Sequence, residues 1–254
     1  MSVRTTRQLV GRRNGWTTRR ALPLVVALLG VSAPAQVTWD WITPYVESVR
    51  FKMLLEGTVN SSGSSPASSP TQPRTTVPAA TTLTYKPSAA VRERVTRNTA
   101  LWLVGGDEQK VASTVAELGR SDLIGQFNAS LGRLGLTPNN LADAFAAYLL
   151  TSWEVVNGGD VSGQPQGVRA VSDLVRRTFG ETAGIRQLND AQKQEASETL
   201  AYRTVLMTAV HESLKARGDE DALLQFREGR RQEIVQTMGW DLRGVKLGPQ
   251  GLGR

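Results

Sequence analysis

Asp143 and Glu154 lie eleven positions apart in "TPNNLADAFAAYLLTSWEVVNGG", residues 137–159. Two carboxyls on one helix face could divide general-acid and general-base work. Eleven residues, however, separate them by about 16 Å along a helix axis, and glycosidase carboxyls stand roughly 5–9.5 Å apart. The pair cannot act together without an acid from another element, so the chemistry left open is a single acid. Glu154 beside Trp153, or Asp143 alone, would suit a helical hydrolase or lyase acting on cell-wall glycan. The alternative is structural, with Glu154 a solvated or salt-bridged residue in the last turns of its helix.

Other chemistries are thinner still. His211 is the one histidine of the chain. It falls mid-helix in "VHESLK", four residues after Met207 and three before Leu214, and reads as a packed or rim side chain. No G-x-S-x-G turn presents a serine to it, and one histidine supports no His-x-x-x-His metal pair. With no cysteine in the chain, thiolate metal sites, cysteine nucleophiles and a disulfide framework are excluded. Gly105-Gly106 in "VGGDEQK" has a helix on both sides rather than a strand before it, so it reads as an inter-helix turn and not a phosphate loop. No catalytic, cofactor-binding or metal-binding residue is assigned, and no cofactor is expected.

The elements that would position these residues are helical. Residues 86–247 read as one all-α domain, a bundle of about six or seven helices around a buried central helix from Thr137 to Asn157. Pro87-Ser88 opens the first helix, with Val91, Val95 and Trp102 on one face; Asp107 opens the next, with Val111, Val115 and Leu118. Ser121 is read as the N-cap of the third, which carries Ile124, Phe127, Leu131 and Leu134. Thr137-Pro138 opens the central helix and Asn157-Gly158-Gly159 closes it. Its polar residues and length, roughly 27 Å, argue against a bilayer span, while an apolar circumference argues for burial among other helices. Asn139 and Asn140 are read as a cap and tether for its start rather than ligand contacts. Val168, Val171 and Val175 mark a helix ending near Phe179; Asp190 to Arg217 is one long helix stopped by Gly218, and the last runs from Asp219 to about Met238. Residues 248–254, "GPQGLGR", are expected to be a flexible tail.

Ahead of this domain, residues 1–35 resemble a secretory signal peptide: six arginines and no acid, the apolar run "ALPLVVALLGVSA", then Ala33-Pro34-Ala35. Export with cleavage after Ala35 is expected, to the periplasm or the medium, leaving no stable membrane anchor. The Arg19-Arg20 pair leaves the export route open. Residues 36–57 fit a strand or a helix equally. Residues 58–85 are rich in Ser, Thr and Pro and are expected to be a disordered linker. The 30 basic and 23 acidic side chains give +7; losing six arginines leaves 24 against 23, or +1. That residual charge offers a polyphosphate little, so nucleic acid is not an expected partner.

The runs "SDLIGQFNASLGRLGLTPNNLADAFAAYLLTSWEVVNG" and "LNDAQKQEASETLAYRTVLMTAV" resemble a bacterial family catalogued as domain of unknown function 6683. Its pattern is matched by Leu136, Pro138, Asn139, Asn140, Leu141, Ala142, Asp143 and Ala144, followed by Trp153, Asn157 and Gly158, over roughly Tyr85 to Leu247. The resemblance implies an exported, all-helical module and carries no catalytic residue. The reading is therefore an exported, non-enzymatic interaction module that engages an unknown envelope or extracellular protein, with the glycan hydrolase or lyase as the alternative.

Overall fold

A computed structural model describes residues 83–253. The expected signal peptide 1–35, the segment 36–57 and the linker up to residue 82 lie outside the described residues. The architecture is all-α: helices α1 (Ala89–Leu103), α2 (Glu108–Ser121), α3 (Leu123–Arg133), α4 (Leu141–Asn157), α5 (Pro165–Glu181), the single turn α6 (Ala183–Arg186), α7 (Asp190–Arg217) and α8 (Glu220–Met238). One small hairpin, β1 (Lys246–Gly248) and β2 (Gly251–Gly253), completes it.

The centre is α4. Every residue from Leu141 to Val155 is buried, which is why this segment reads as apolar almost all round. It packs chiefly along α7 and α5, with α8 and α3 on its remaining sides. Asn140 caps it, its Oδ1 accepting from Ala142 N at 3.0 Å and Asp143 N at 3.2 Å, so two of the otherwise free amides of the first turn are satisfied inside the core. Asn139 stands before the helix at φ 54°, a left-handed conformation asparagine tolerates better than most residues. The helix thus begins at Leu141, later than Thr137-Pro138 suggests. Gly158, at φ 66°, ends it.

Three boundaries differ from those read in the sequence. The expected linker stops earlier, because Leu83 is buried and Thr84 bridges Asn140. Tyr85 N donates to Asn139 O and Leu141 N to Leu83 O, both at 3.0 Å, so residues 83–85 clamp the start of α4. Asp122, not Ser121, caps α3: it sits at φ 43° and accepts from Gly125 N at 3.2 Å, while Ser121 is the last residue of α2. A Cβ on Gly125 would stand 2.2 Å from the Asp122 carboxylate, so the glycine makes room for the cap.

The expected flexible tail is the third. Residues 251–253 pair antiparallel with 246–248, with Leu247 opposite Leu252, and the hairpin lies on α5. Strands of three residues are too short to display alternation, and Gly248 and Gly251 around a two-residue turn remove what pattern remained. The segment before the hairpin is tied to the end of α4: Trp153 Nε1 donates to Val245 O at 2.8 Å, Asn157 Nδ2 to Leu242 O at 3.0 Å, and Gly244 N to Asn157 Oδ1 at 3.2 Å.

Candidate functional site

Three carboxylates are buried in the bundle: Asp143, Glu154 and Glu198. An ionised carboxyl in a low-dielectric core is costly unless paired and hydrogen-bonded, and two of the three are. Asp143, with no exposure, accepts from Thr137 N at 2.8 Å, Ser172 Oγ at 2.6 Å and Arg176 Nε at 3.1 Å, and pairs with Arg176 Nη2 as well. Both of its oxygens are consumed in joining α4 to α5 and to the loop before α4. Glu198 accepts from Arg92 Nη2 at 2.7 Å and Gln194 Nε2 at 3.0 Å, which joins α7 to α1.

Glu154 is different. It is 8 % exposed, and its Oε1 accepts from Val161 N at 2.9 Å; no ion pair reaches it among the described residues. It is therefore neither solvated nor salt-bridged, contrary to the structural alternative read from the sequence. Burial pushes its carboxyl up to about 7; Asp160 and Glu212 add to the shift, while the Val161 N–H and Lys215 oppose it. Near neutral pH the group is half protonated, the property expected of a functional acid.

A cavity of about 60 Å³ adjoins it, lined by Thr151, Glu154, Val155, Gly158, Gly159, Thr208, His211, Glu212, Lys215 and Arg227. The spacing explains the assembly. Thr208, His211, Glu212 and Lys215 recur at three- and four-residue steps and form one face of α7; Thr151, Glu154 and Val155 do the same on the last turns of α4. Gly158 admits α8: a Cβ there would stand 3.4 Å from Arg227 Nη2.

His211 Nδ1 faces Glu212 Oε1 at 3.4 Å, and Lys215 Nζ approaches the same oxygen at 3.1 Å. Both hold the Glu212 carboxyl below its usual range. His211 Nε2, Thr151 Oγ1 and Arg227 Nε are buried and have no hydrogen-bond partner among the described residues. Three orphaned polar atoms around one cavity are unusual where nearly all such groups are satisfied.

The sequence reading named Glu154 and His211 separately; the fold puts both on one cavity. It does not bring Asp143 there, because Asp143 serves the opposite half of α4. Thr151, Lys215 and Arg227 belong to no motif in the sequence. The signal for Lys215 is its position on the His211 face of α7, whereas nothing local distinguishes Arg227 from the other arginines of α8. Among the described residues no group of three or more His, Asp or Glu could hold a metal ion, and no helix is long and apolar enough to cross a membrane.

The residues that carry the family resemblance have structural duties here: Asn140 caps, Asp143 ties, and Trp153 and Asn157 anchor the segment before the hairpin. No curated protein and no solved structure matches the chain. A family described as a family of unknown function, DUF6683, matches residues 17–253, and the chain belongs to it.

Proposed function

We propose that this chain is an exported helical binding module rather than a hydrolase, and that its outer α8 face meets an envelope or extracellular protein. The carrying observation is that face. Leu224, 67 % exposed, and Val235, 37 % exposed, are the large apolar side chains left exposed among the described residues. They stand eleven residues apart, three turns on nearly the same side of α8. Glu228 and Arg231 lie between them, paired with each other at 2.8 Å. Two apolar side chains flanking a charge pair make a small strip suited to a partner with an apolar contact and polar rim.

The glycan-hydrolase alternative has less support. Asp143 has no free oxygen for a substrate, and the cavity beside Glu154 is far below the roughly 150 Å³ that accommodates even benzene. Export rests on residues 1–35, as argued from their charge and apolar pattern. The test places a photoreactive amino acid at Leu224 in the full-length gene, expressed in the native cell. We expect one specific adduct in the envelope or medium, lost when Val235→Asp is added to the same protein and melting is unchanged. Solubilisation of purified peptidoglycan by the wild-type protein, abolished in a stable Glu154→Gln variant, would instead establish the hydrolase.

A further inference from the structure

We propose that the cavity between α4, α7 and α8 binds a small monocarboxylate, gripped by the Arg227 guanidinium, the Thr151 hydroxyl and the Glu154 carboxyl. This goes beyond the α8 contact and stands whether or not that contact exists. Arg227 makes no ion pair among the described residues, and its Nε–H is buried without an acceptor. A half-exposed guanidinium with one buried, unpartnered donor can take an anion, and its planar donors match a carboxylate better than a sphere. Glu212 lines the same cavity, but its ion-pair partners among the described residues are Lys215 and His211, not Arg227.

The remaining walls complete a carboxylate site. Thr151 Oγ1 is a buried hydroxyl free to donate. Val161 N occupies Oε1 of Glu154, so Oε2 is left to present its proton, and a protonated carboxyl donates strongly to a carboxylate. His211, 7 % exposed, turns Nδ1 to Glu212 and leaves Nε2, on the same wall, without a partner among the described residues.

Size limits the ligand. The cavity of about 60 Å³ equals the liquid share of roughly two waters, which matches the two oxygens of a carboxylate head, with its tail left in the open mouth. Lys215 and Glu212 are 41 % and 33 % exposed, which puts one end of the cavity at the surface. Either a free short-chain acid or the carboxyl end of a larger molecule could enter there.

Binding must then take up a proton. The charged groups around Glu154 are Asp160 on the following loop, His211, Glu212 and Lys215 on α7, and Arg227 on α8. An anion on Arg227 raises the cost of ionising Glu154. For one coupled proton leaving near pH 7, affinity should fall about tenfold between pH 6 and pH 8.

The experiment is a thermal-melt and calorimetric titration of the full chain with sodium acetate against sodium chloride at fixed ionic strength. N-acetylglycine, the mimic of a chain end, forms a second arm. We expect a saturable rise in Tm with acetate and not chloride, about tenfold weaker at pH 8, and abolished in Arg227→Gln. Thr151→Val is the second variant; it leaves the charges intact and should weaken acetate without lowering the unliganded Tm. Tighter binding of N-acetylglycine than acetate identifies a chain end as ligand, and the reverse a free acid. Equal responses to acetate and chloride, full binding in Arg227→Gln, or equal affinity at the two pH values overturns the proposal.

Discussion

Glu154 and Asp143 sit on one helix and are both buried, but their surroundings differ. Asp143 is surrounded by donors, so its charge is part of the fold. Removing it in Asp143→Ala leaves the half-buried Arg176 with Asp173 Oδ1, 3.9 Å away, in place of a close carboxylate, and the expected loss is about 3 kcal/mol, read as a lower urea midpoint with unchanged slope. Glu154 has a single N–H for its charge. Its folded carboxyl titrates at about 7 against an ordinary 4.5, so between those values the folded chain holds a proton that the unfolded chain has released. The stability linked to this group is fully present below about pH 4.5 and is lost as pH rises through 7. The swing is on the order of 3 kcal/mol. Urea midpoints measured from pH 5 to 8.5 should fall in the wild type and stay flatter in Glu154→Gln, which keeps the acceptor for Val161 N. A Glu154→Gln variant that is less stable than wild type at pH 8.5 contradicts this assignment.

At the scale of elements, the long periodic helices were legible and the joints were not. The bounds of α7 and α8 can be read from Asn189, Gly218 and Asp219 because each cap acts on its own neighbours. Asp122 took the cap expected of Ser121 because α2 runs through Ser121 itself, with α2 packed on α1 and α3 on α7, a boundary that local propensity does not fix. Leu83–Tyr85 and the hairpin depend on partners more than fifty residues away, and no local pattern announces them. The cavity was half legible for the same reason: Glu154 and His211 carry recognisable chemistry, while Arg227 gains its role from the turn at Gly158. Two elements offer tests. Asn140→Ala should cost about 1–2 kcal/mol and lower the Tm, with partner adducts at Leu224 falling only with the folded fraction. Gly167→Ala would place a Cβ 2.5 Å from Gly248 O and 2.9 Å from Leu247 Cδ1. Backbone cannot swing aside as a side chain can, so the hairpin should lift from α5, at a cost of about 1–3 kcal/mol, visible as faster amide exchange at 246–253.

For the whole molecule, charge links the family module to its proposed export. The family match begins at residue 17, inside the basic stretch, and the chain's +7 is concentrated before residue 36. If residues 1–35 are removed, the remaining chain carries +1 and loses its polyphosphate attraction, so the working protein would be defined by surface shape and by the cavity rather than by a basic field. Small residues at Ala33 and Ala35 suit signal-peptidase cleavage, and the six arginines favour retention of the leader's start on the inner side during translocation. The expected outcome is a product in the periplasm or medium whose first residue is Gln36, read by N-terminal sequencing and intact mass. That product should run at a markedly lower isoelectric point than the unprocessed chain, and should show no salt-dependent retention on heparin. Recovery of the protein from a membrane fraction with Met1 intact would refute cleavage, and would make the basic segment an anchor on acidic lipid headgroups instead.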